Sequence, residues 1–171
     1  MTNNIQNFNN YVDVIKKAKY DFDKHYKEGD TYSLINCFLT INCIVEWITN
    51  DKTSNIPVAI VAEAENFKRS IANGNTNSDS TIDGDKIKNN DIKEQINFVR
   101  IVCNHAKHNN SDKLQFFEIK IGEGAYFPLR FPQNLQHVYV ELNGQEIPLI
   151  DVAENIINFW ENLLKQNGIN I

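Results

Sequence analysis

Apolar residues recur at intervals of three and four along several long segments, a spacing typical of amphipathic α-helices. Segment 5–27 shows this spacing, with lysines between the apolar positions. Segment 31–50, which Asp30 can cap, is apolar almost all round, so it predicts a central buried helix whose polar exceptions include Asn42 and Glu46. Pro57 predicts the first turn of a third helix, which extends to about Ile71.

Two further helices are predicted in the second half of the chain. Asp91 is a candidate N-cap with Glu94 three residues on, and the helix that follows ends at Asn109-Asn110. Asp151 is the candidate N-cap of a last helix, which Gly168 ends.

Between these two helices the pattern changes to alternation. The stretches LQFFEIKIG and HVYVELNG are rich in β-branched and aromatic residues, and Asn143-Gly144 is a tight-turn signal before QEIPL. Two or three antiparallel strands fit here. The sequence therefore predicts a mainly α fold, a helical bundle with a small antiparallel β-hairpin inserted before the C-terminal helix, in a single domain over 1–171.

Segment 73–90, NGNTNSDSTIDGDKIKNN, contains almost no apolar residue and predicts a mobile polar loop. Its DSTIDGD stretch is similar to the start of a calcium-binding loop. However, Thr81 stands where an oxygen-rich Asp or Asn is needed, and position twelve is Asn90 instead of Glu. A calcium site is therefore rejected.

Charge and hydropathy restrict the function classes. A net charge of -5 argues against a protein that coats nucleic acid generally, but it leaves room for a small basic site. No uninterrupted apolar stretch reaches the roughly 18 residues of a membrane span, and the start MTNNIQNFNN lacks the basic and apolar regions of a secretory signal. We expect no membrane partner and a cytoplasmic location.

The densest polar cluster lies near the end of the helix that Asp91 begins. On a helical projection, a stripe about 100° wide holds four of its side chains, opposite the apolar face. These are Arg100, Asn104, Lys107 and His108, while His105 lies off the stripe. Lysine outnumbers arginine 14 to 3 in this chain and is its common source of positive charge. An arginine at this position is therefore more informative about function than a lysine would be.

The stripe has a structural and a functional interpretation. Cationic side chains in the last turn of a helix are favoured by the helix dipole and can cap free carbonyl groups. Alternatively, Arg100 offers a planar fork for phosphate, and a histidine supplies acid–base chemistry near neutral pH. Glu46 is either a partly exposed side chain near a helix end or the ionic partner of Arg100 or Lys107.

Metal and cofactor sites are weakly indicated. Cys37, Cys43 and Cys103 lie in apolar runs and are interpreted as buried reduced thiols. A set of Cys103, His105 and His108, with His25 or His137, contains one plausible ligand pair where structural zinc sites have two. We therefore expect no metal and no cofactor. Asp21, Asp23 and His25 of the first helix are expected at the solvated surface.

Three motifs together resemble HEPN-like helical bundles, a group that includes uncharacterised bacterial and phage proteins. The first is the segment CFLTINCIVEWI, and the second is the R-x-x-x-N-x-x-K-H run from Arg100 to His108. The third is an F-W-x-x-L segment with Phe159, Trp160 and Leu163, after strands and an N-G turn. The resemblance covers most of the chain except 52–90.

The resemblance implies an activity and an assembly. Many HEPN proteins are metal-independent ribonucleases that use an Arg and a His four to six residues apart, often across a homodimer. Arg100 and His105 have this spacing, although a polar residue commonly follows the arginine where this chain has Ile101. The implied function is a ribonuclease or a nucleotide- or RNA-binding protein of a defence or toxin type. The alternative is a non-catalytic helical interaction or regulatory module whose polar stripe is structural.

Overall fold

The computed structural model describes six ranges of the chain, namely 9–51, 55–74, 82–107, 118–123, 136–142 and 144–171. Within them the chain forms six helices and three strands. The helices are α1 (Tyr11–Glu28), α2 (Thr31–Asn50), α3 (Val58–Gly74), α4 (Gly84–Lys88), α5 (Ile92–Lys107) and α6 (Leu149–Gln166). The strands are β1 (Glu118–Glu123), β2 (Gln136–Leu142) and β3 (Gln145–Pro148).

Two predicted helix caps are confirmed. The Asp30 carboxylate accepts the backbone N–H of Tyr32 at the start of α2, and the Asp91 carboxylate accepts those of Lys93 and Glu94 at the start of α5. Each bond satisfies an N–H that has no partner inside the helix. The cap predicted for α6 is wrong, because Asp151 lies inside its first turn and Pro148 is the N-cap.

α2 lies at the centre of the bundle, as its nearly continuous apolar sequence predicts. It packs against α1, α3, α5 and α6. Its side chains Leu34, Cys37 and Ile44 are fully buried. On α3 and α6, the rings of Phe67 and Trp160 meet edge to face with centroids 5.8 Å apart, the preferred geometry for aromatic pairs. The core therefore joins helices from both ends of the sequence.

The strands form one antiparallel sheet in the order β1-β2-β3. Val140 of β2 pairs with Ile147 of β3, and both are buried. Gly144 connects these strands with φ of 75°, a left-handed conformation that suits glycine. The mainly helical fold with a small antiparallel sheet before the last helix is confirmed. Of the two or three strands predicted there, the structure has three, and they lie in LQFFEIKIG, HVYVELNG and QEIPL.

The loop predicted over 73–90 is wrong for part of its length. Residues 73 and 74 are the end of α3, and 84–88 form α4, while 75–81 lie outside the described residues. Ile87 is 1% exposed and Ile82 is also buried, so these two side chains attach the polar segment to the core.

Two polar side chains of α1 that were expected in solvent are buried. Asp21 and His25 are each 4% exposed. Asp21 forms an ion pair with Lys17, and His25 donates from Nδ1 to the carbonyl oxygen of Asp30 at 2.9 Å. The Lys17–Asp21 pair lies within α1 at the i,i+4 spacing, and Asp30 belongs to the turn after α1. The burial itself comes from the packing of α1 against α2 and α6, which helical periodicity alone did not indicate.

By length and composition alone, α2 is apolar enough to cross a membrane, and it is the one such helix in the described part of the chain. The central helix of a globular core meets the same criterion, and Leu34, Phe38 and Ile48 are buried by the other helices. The expectation of no membrane partner and of a cytoplasmic location stays a prediction.

Candidate functional site

A cavity of about 350 Å³ lies where α2, α3 and α5 meet. It brings together three residues that the sequence singled out, Arg100, Asn104 and Glu46. The apolar part of its lining consists of Ile41, Val45, Ile96, Val99 and Trp160. The remaining lining residues are Asn42, Cys43 and Lys68.

Arg100 is half-buried in the wall of this cavity. Its Nη2 donates to Oδ1 of Asn97, one turn earlier on α5, at 3.1 Å. Burial lowers the pKa of the Arg100 guanidinium, since removing water penalises the charged form. Asn104 follows one turn later and is exposed. The two side chains therefore present a cation and an amide at one opening.

Glu46 is exposed and lies on the α2 side of the same cavity. Among the described side chains no ion pair joins it to Arg100, so that part of the predicted pairing is wrong. An exposed carboxylate keeps its hydration and needs no buried partner. The alternative pairing with Lys107 stays a prediction, because the Lys107 side chain lies outside the described residues.

The two candidate catalytic histidines are not located by the structure. The backbone of His105 belongs to α5, directly after Asn104, but its side chain lies outside the described residues. His108 lies outside them entirely. Their roles as general acid or base stay predictions.

Three polar lining residues were not among the predicted site residues. Asn42 and Cys43 lie on α2, and Lys68 lies on α3, where its Nζ is 3.4 Å from Oγ1 of Thr49. The sequence did indicate Asn42, because this polar residue interrupts an otherwise apolar helix. Nothing in the sequence indicated Lys68, because lysine is common in this chain and its position at the cavity depends on how α3 packs against α2.

The cysteines are free thiols, with Cys37 and Cys103 buried and Cys43 half-buried. Burial raises the pKa of the Cys37 thiol well above its ordinary value, which keeps it protonated and unreactive. Across the described side chains, no group of three or more His, Cys, Asp or Glu is placed to hold a metal ion. The side chain of His137 is not among them.

Comparisons with known proteins found no matching family model, no matching curated protein and no matching solved structure.

Proposed function

We propose that the chain binds the phosphate group of a nucleotide or of single-stranded RNA in the cavity between α2, α3 and α5. One observation carries this proposal: two cations from different helices, Arg100 and Lys68, line one cavity together with the amide of Asn104. A cavity of about 350 Å³ is at the small end of ligand sites and suits one nucleotide unit.

The chemistry of phosphate recognition fits these side chains. Arg100 can hold two phosphate oxygens through parallel N–H bonds, and its partial burial strengthens the attraction of an anion. Lys68 adds a second positive charge, and Asn104 adds a neutral N–H donor. With Glu46 included, the lining carries two cations and one anion, which balances one phosphodiester charge.

Glu46 has a separate role in this proposal. Its carboxylate accepts hydrogen bonds and repels phosphate, so it faces the sugar or the base of the ligand. A ribose hydroxyl or a base N–H group supplies the donor.

We further propose that the protein acts as an HEPN-like, metal-independent ribonuclease of a defence or toxin type, active as a homodimer. Arg100 holds the scissile phosphate, and His105 or His108 exchanges protons with the reacting oxygens. The support is the Arg-to-His spacing and the position of Arg100 at a cavity. Neither a metal nor another cofactor takes part in this reaction.

The test is binding and cleavage of a fluorescent single-stranded RNA, measured in EDTA by anisotropy and on denaturing gels. Arg100→Lys is compared with Arg69→Lys, a matched control. Each arginine donates from Nη2 to the asparagine three residues earlier, at 3.1 Å and 3.0 Å, but Arg69 is exposed and does not line the cavity. We expect Arg100→Lys to weaken binding by about 10- to 150-fold, as for a charged hydrogen bond, and Arg69→Lys to change it less than twofold.

The rival function is a non-catalytic interaction or regulatory module. The Arg100–Asn97 hydrogen bond favours it, because this bond shows that Arg100 also serves α5 itself. In that case the wild-type protein neither binds nor cleaves RNA, and Arg100→Lys lowers only the melting temperature. Cleavage that survives both His105→Ala and His108→Ala would reject the ribonuclease mechanism while leaving phosphate binding intact.

A further inference from the structure

The polar lining of the cavity between α2, α3 and α5 includes one pair of residues on α5 and another on α2. Arg100 and Asn104 lie one turn apart on α5. Asn42 and Glu46 lie one turn apart on α2, and we call these two residues the α2 pair. The proposed phosphate contacts use the α5 residues and Lys68. The α2 pair is therefore the part of the lining that can select the rest of the ligand.

The side chains of the α2 pair are not engaged by the protein. In the part of the chain that the structure describes, neither the Asn42 amide nor the Glu46 carboxylate has a hydrogen bond or an ion pair with another residue. The Thr49 hydroxyl donates to the backbone carbonyl of Glu46 at 3.3 Å, and Nζ of Lys68 lies 3.4 Å from the same hydroxyl. The carboxylate is thus available to a ligand.

The chemistry of a carboxylate restricts which base fits beside it. Two carboxylate oxygens only accept hydrogen bonds, so they match an edge with two adjacent donors. Guanine has such an edge, because its ring N–H and its exocyclic amino group point the same way. Adenine and cytosine place a ring-nitrogen acceptor beside their amino group, and uracil flanks its N–H with two carbonyl oxygens. These acceptors would face the carboxylate and repel it.

Asn42 is placed to complete the recognition of a guanine edge. Side chains one turn apart on a helix have Cβ atoms about 5–6 Å apart, so the two groups of the α2 pair can contact one base edge together. The carbonyl oxygen of guanine lies next to its ring N–H, and the Asn42 amide can donate to it. Because an amide can turn either its N–H or its oxygen toward a ligand, Glu46 accounts for most of the discrimination.

We propose that the α2 pair recognises a guanine base, so that the cavity takes a guanine nucleotide. This inference rests on the proposed phosphate site, since Arg100 and Lys68 hold the phosphate of the same nucleotide. The nucleotide is either free or part of single-stranded RNA, whose unpaired bases expose these edges to proteins.

The test is calorimetric titration of the whole chain with GMP, IMP, AMP and ribose 5-phosphate. We expect GMP to bind about 5- to 150-fold more tightly than AMP, the discrimination typical of a two-bond contact to a base. IMP lacks the exocyclic amino group and should fall between them. The single-stranded oligomers UUGUU and UUAUU should show the same guanine preference. Tighter binding of UUGUU than of GMP would identify RNA as the source of the base, and weaker binding would identify the free nucleotide.

Glu46→Gln is the decisive variant because charge and hydrogen bonding predict opposite results for it. Removing a negative charge favours any anionic ligand, so AMP should bind as before or more tightly. GMP loses its two-acceptor partner and should bind at least fivefold more weakly. Glu28→Gln, on an exposed residue of α1 outside the cavity, is the matched control and should change both affinities less than twofold.

Asn42→Ala tests the second contact. It should weaken GMP and IMP to the same extent, because both carry the carbonyl oxygen, and leave AMP within twofold. Melting temperatures identify any variant that fails to fold, and Glu46→Gln decides the matter if Asn42→Ala does so.

The possible failures are distinguishable. Equal affinities for GMP and AMP, with ribose 5-phosphate also bound, would overturn guanine recognition and leave the phosphate site intact. A preference for GMP that Glu46→Gln does not reduce would overturn the role of the α2 pair. The absence of binding by every one of these ligands would reject the phosphate site, and this inference with it.

Discussion

The carboxylate of Glu94 accepts a hydrogen bond from the backbone N–H of Asp83 at 2.9 Å. This bond joins the first turn of α5 to the start of α4. Asp83 in turn accepts the backbone N–H groups of Asp85 and Lys86, so one residue caps α4 while its own N–H is held by α5. The short helix is thereby fixed from both sides.

Replacing Glu94 should loosen this connection. Because a hydrogen bond to a charged group contributes about 1.5–3 kcal/mol when buried and less when partly exposed, we expect Glu94→Ala to lower the free energy of unfolding by about 1–2 kcal/mol. Glu94→Gln keeps a neutral acceptor and should cost about half as much. Urea denaturation measures both. Glu63→Ala is the control and should stay within about 0.5 kcal/mol, so an equal loss there would contradict the assignment.

Ile87 should be essential to the stability of the segment that the sequence indicated as a loop. It is 1% exposed, and truncation of a buried isoleucine to alanine typically costs about 2–5 kcal/mol. We expect Ile87→Ala to fall in this range by urea denaturation, and deletion of 75–88 to prevent stable folding. Lys86→Ala, on the exposed side of α4, is the control. A stable deletion variant would show that α4 is dispensable.

The buried His25 should make stability depend on pH. Burial lowers its pKa below the ordinary 6.5, against the smaller opposite effects of the hydrogen bond to Asp30 and the charge of Asp30. As the pH falls, His25 is therefore protonated in the unfolded chain at a higher pH than in the folded protein. Stability is complete above about pH 6.5 and decreases from there toward the folded pKa.

We expect His25→Gln to lose less stability than wild type between pH 7.5 and pH 5.5, measured by urea denaturation at both values. The contribution of Asp30 does not interfere, because its pKa lies below 3.8 and its stabilisation is lost only at lower pH. Equal losses in the two proteins would contradict this prediction.

Gly144 should resist substitution for conformational reasons alone. Its φ is 75°, and a Cβ atom at this position meets nothing within 4 Å. We expect Gly144→Ala to cost about 1–2 kcal/mol because alanine is strained in this region, and Gly144→Asn to cost less. Thermal unfolding of both variants checks the order. Identical melting temperatures for the two variants would show that the turn adopts another conformation.

Much of the fold could be predicted because its signals are local. Asp30 and Asp91 cap helices through bonds to the next few residues, and the Asn143-Gly144 pair indicates the turn between β2 and β3. α4 was missed because a helix of five residues shows no periodicity. Ile82 and Ile87 were the only apolar residues in a polar stretch, and two positions do not define a face.

The candidate site was predictable on α5 and, at Glu46, on α2. Arg100 and Asn104 are one turn apart, so the sequence itself places them together. Lys68 reaches the same cavity from α3, and His25 is buried by the turn after α1. The position of Lys68 depends on how distant segments pack, and the burial of His25 depends on the turn to Asp30; helical periodicity encodes neither.

The ion pair between Lys19 and Glu161 joins positions 142 residues apart, where α6 packs against α1. α1 and α2 are joined by a short turn and can pair early, since short loops close with little loss of entropy. α6 must arrive from the far end of the chain, and it brings β3 with it because Pro148 leads into the helix without a linker. We therefore expect closure by α6 to be a late step of folding. Core substitutions on α6, such as Ile156→Val, should accordingly accelerate unfolding more than they slow folding, which stopped-flow measurement of both rates checks.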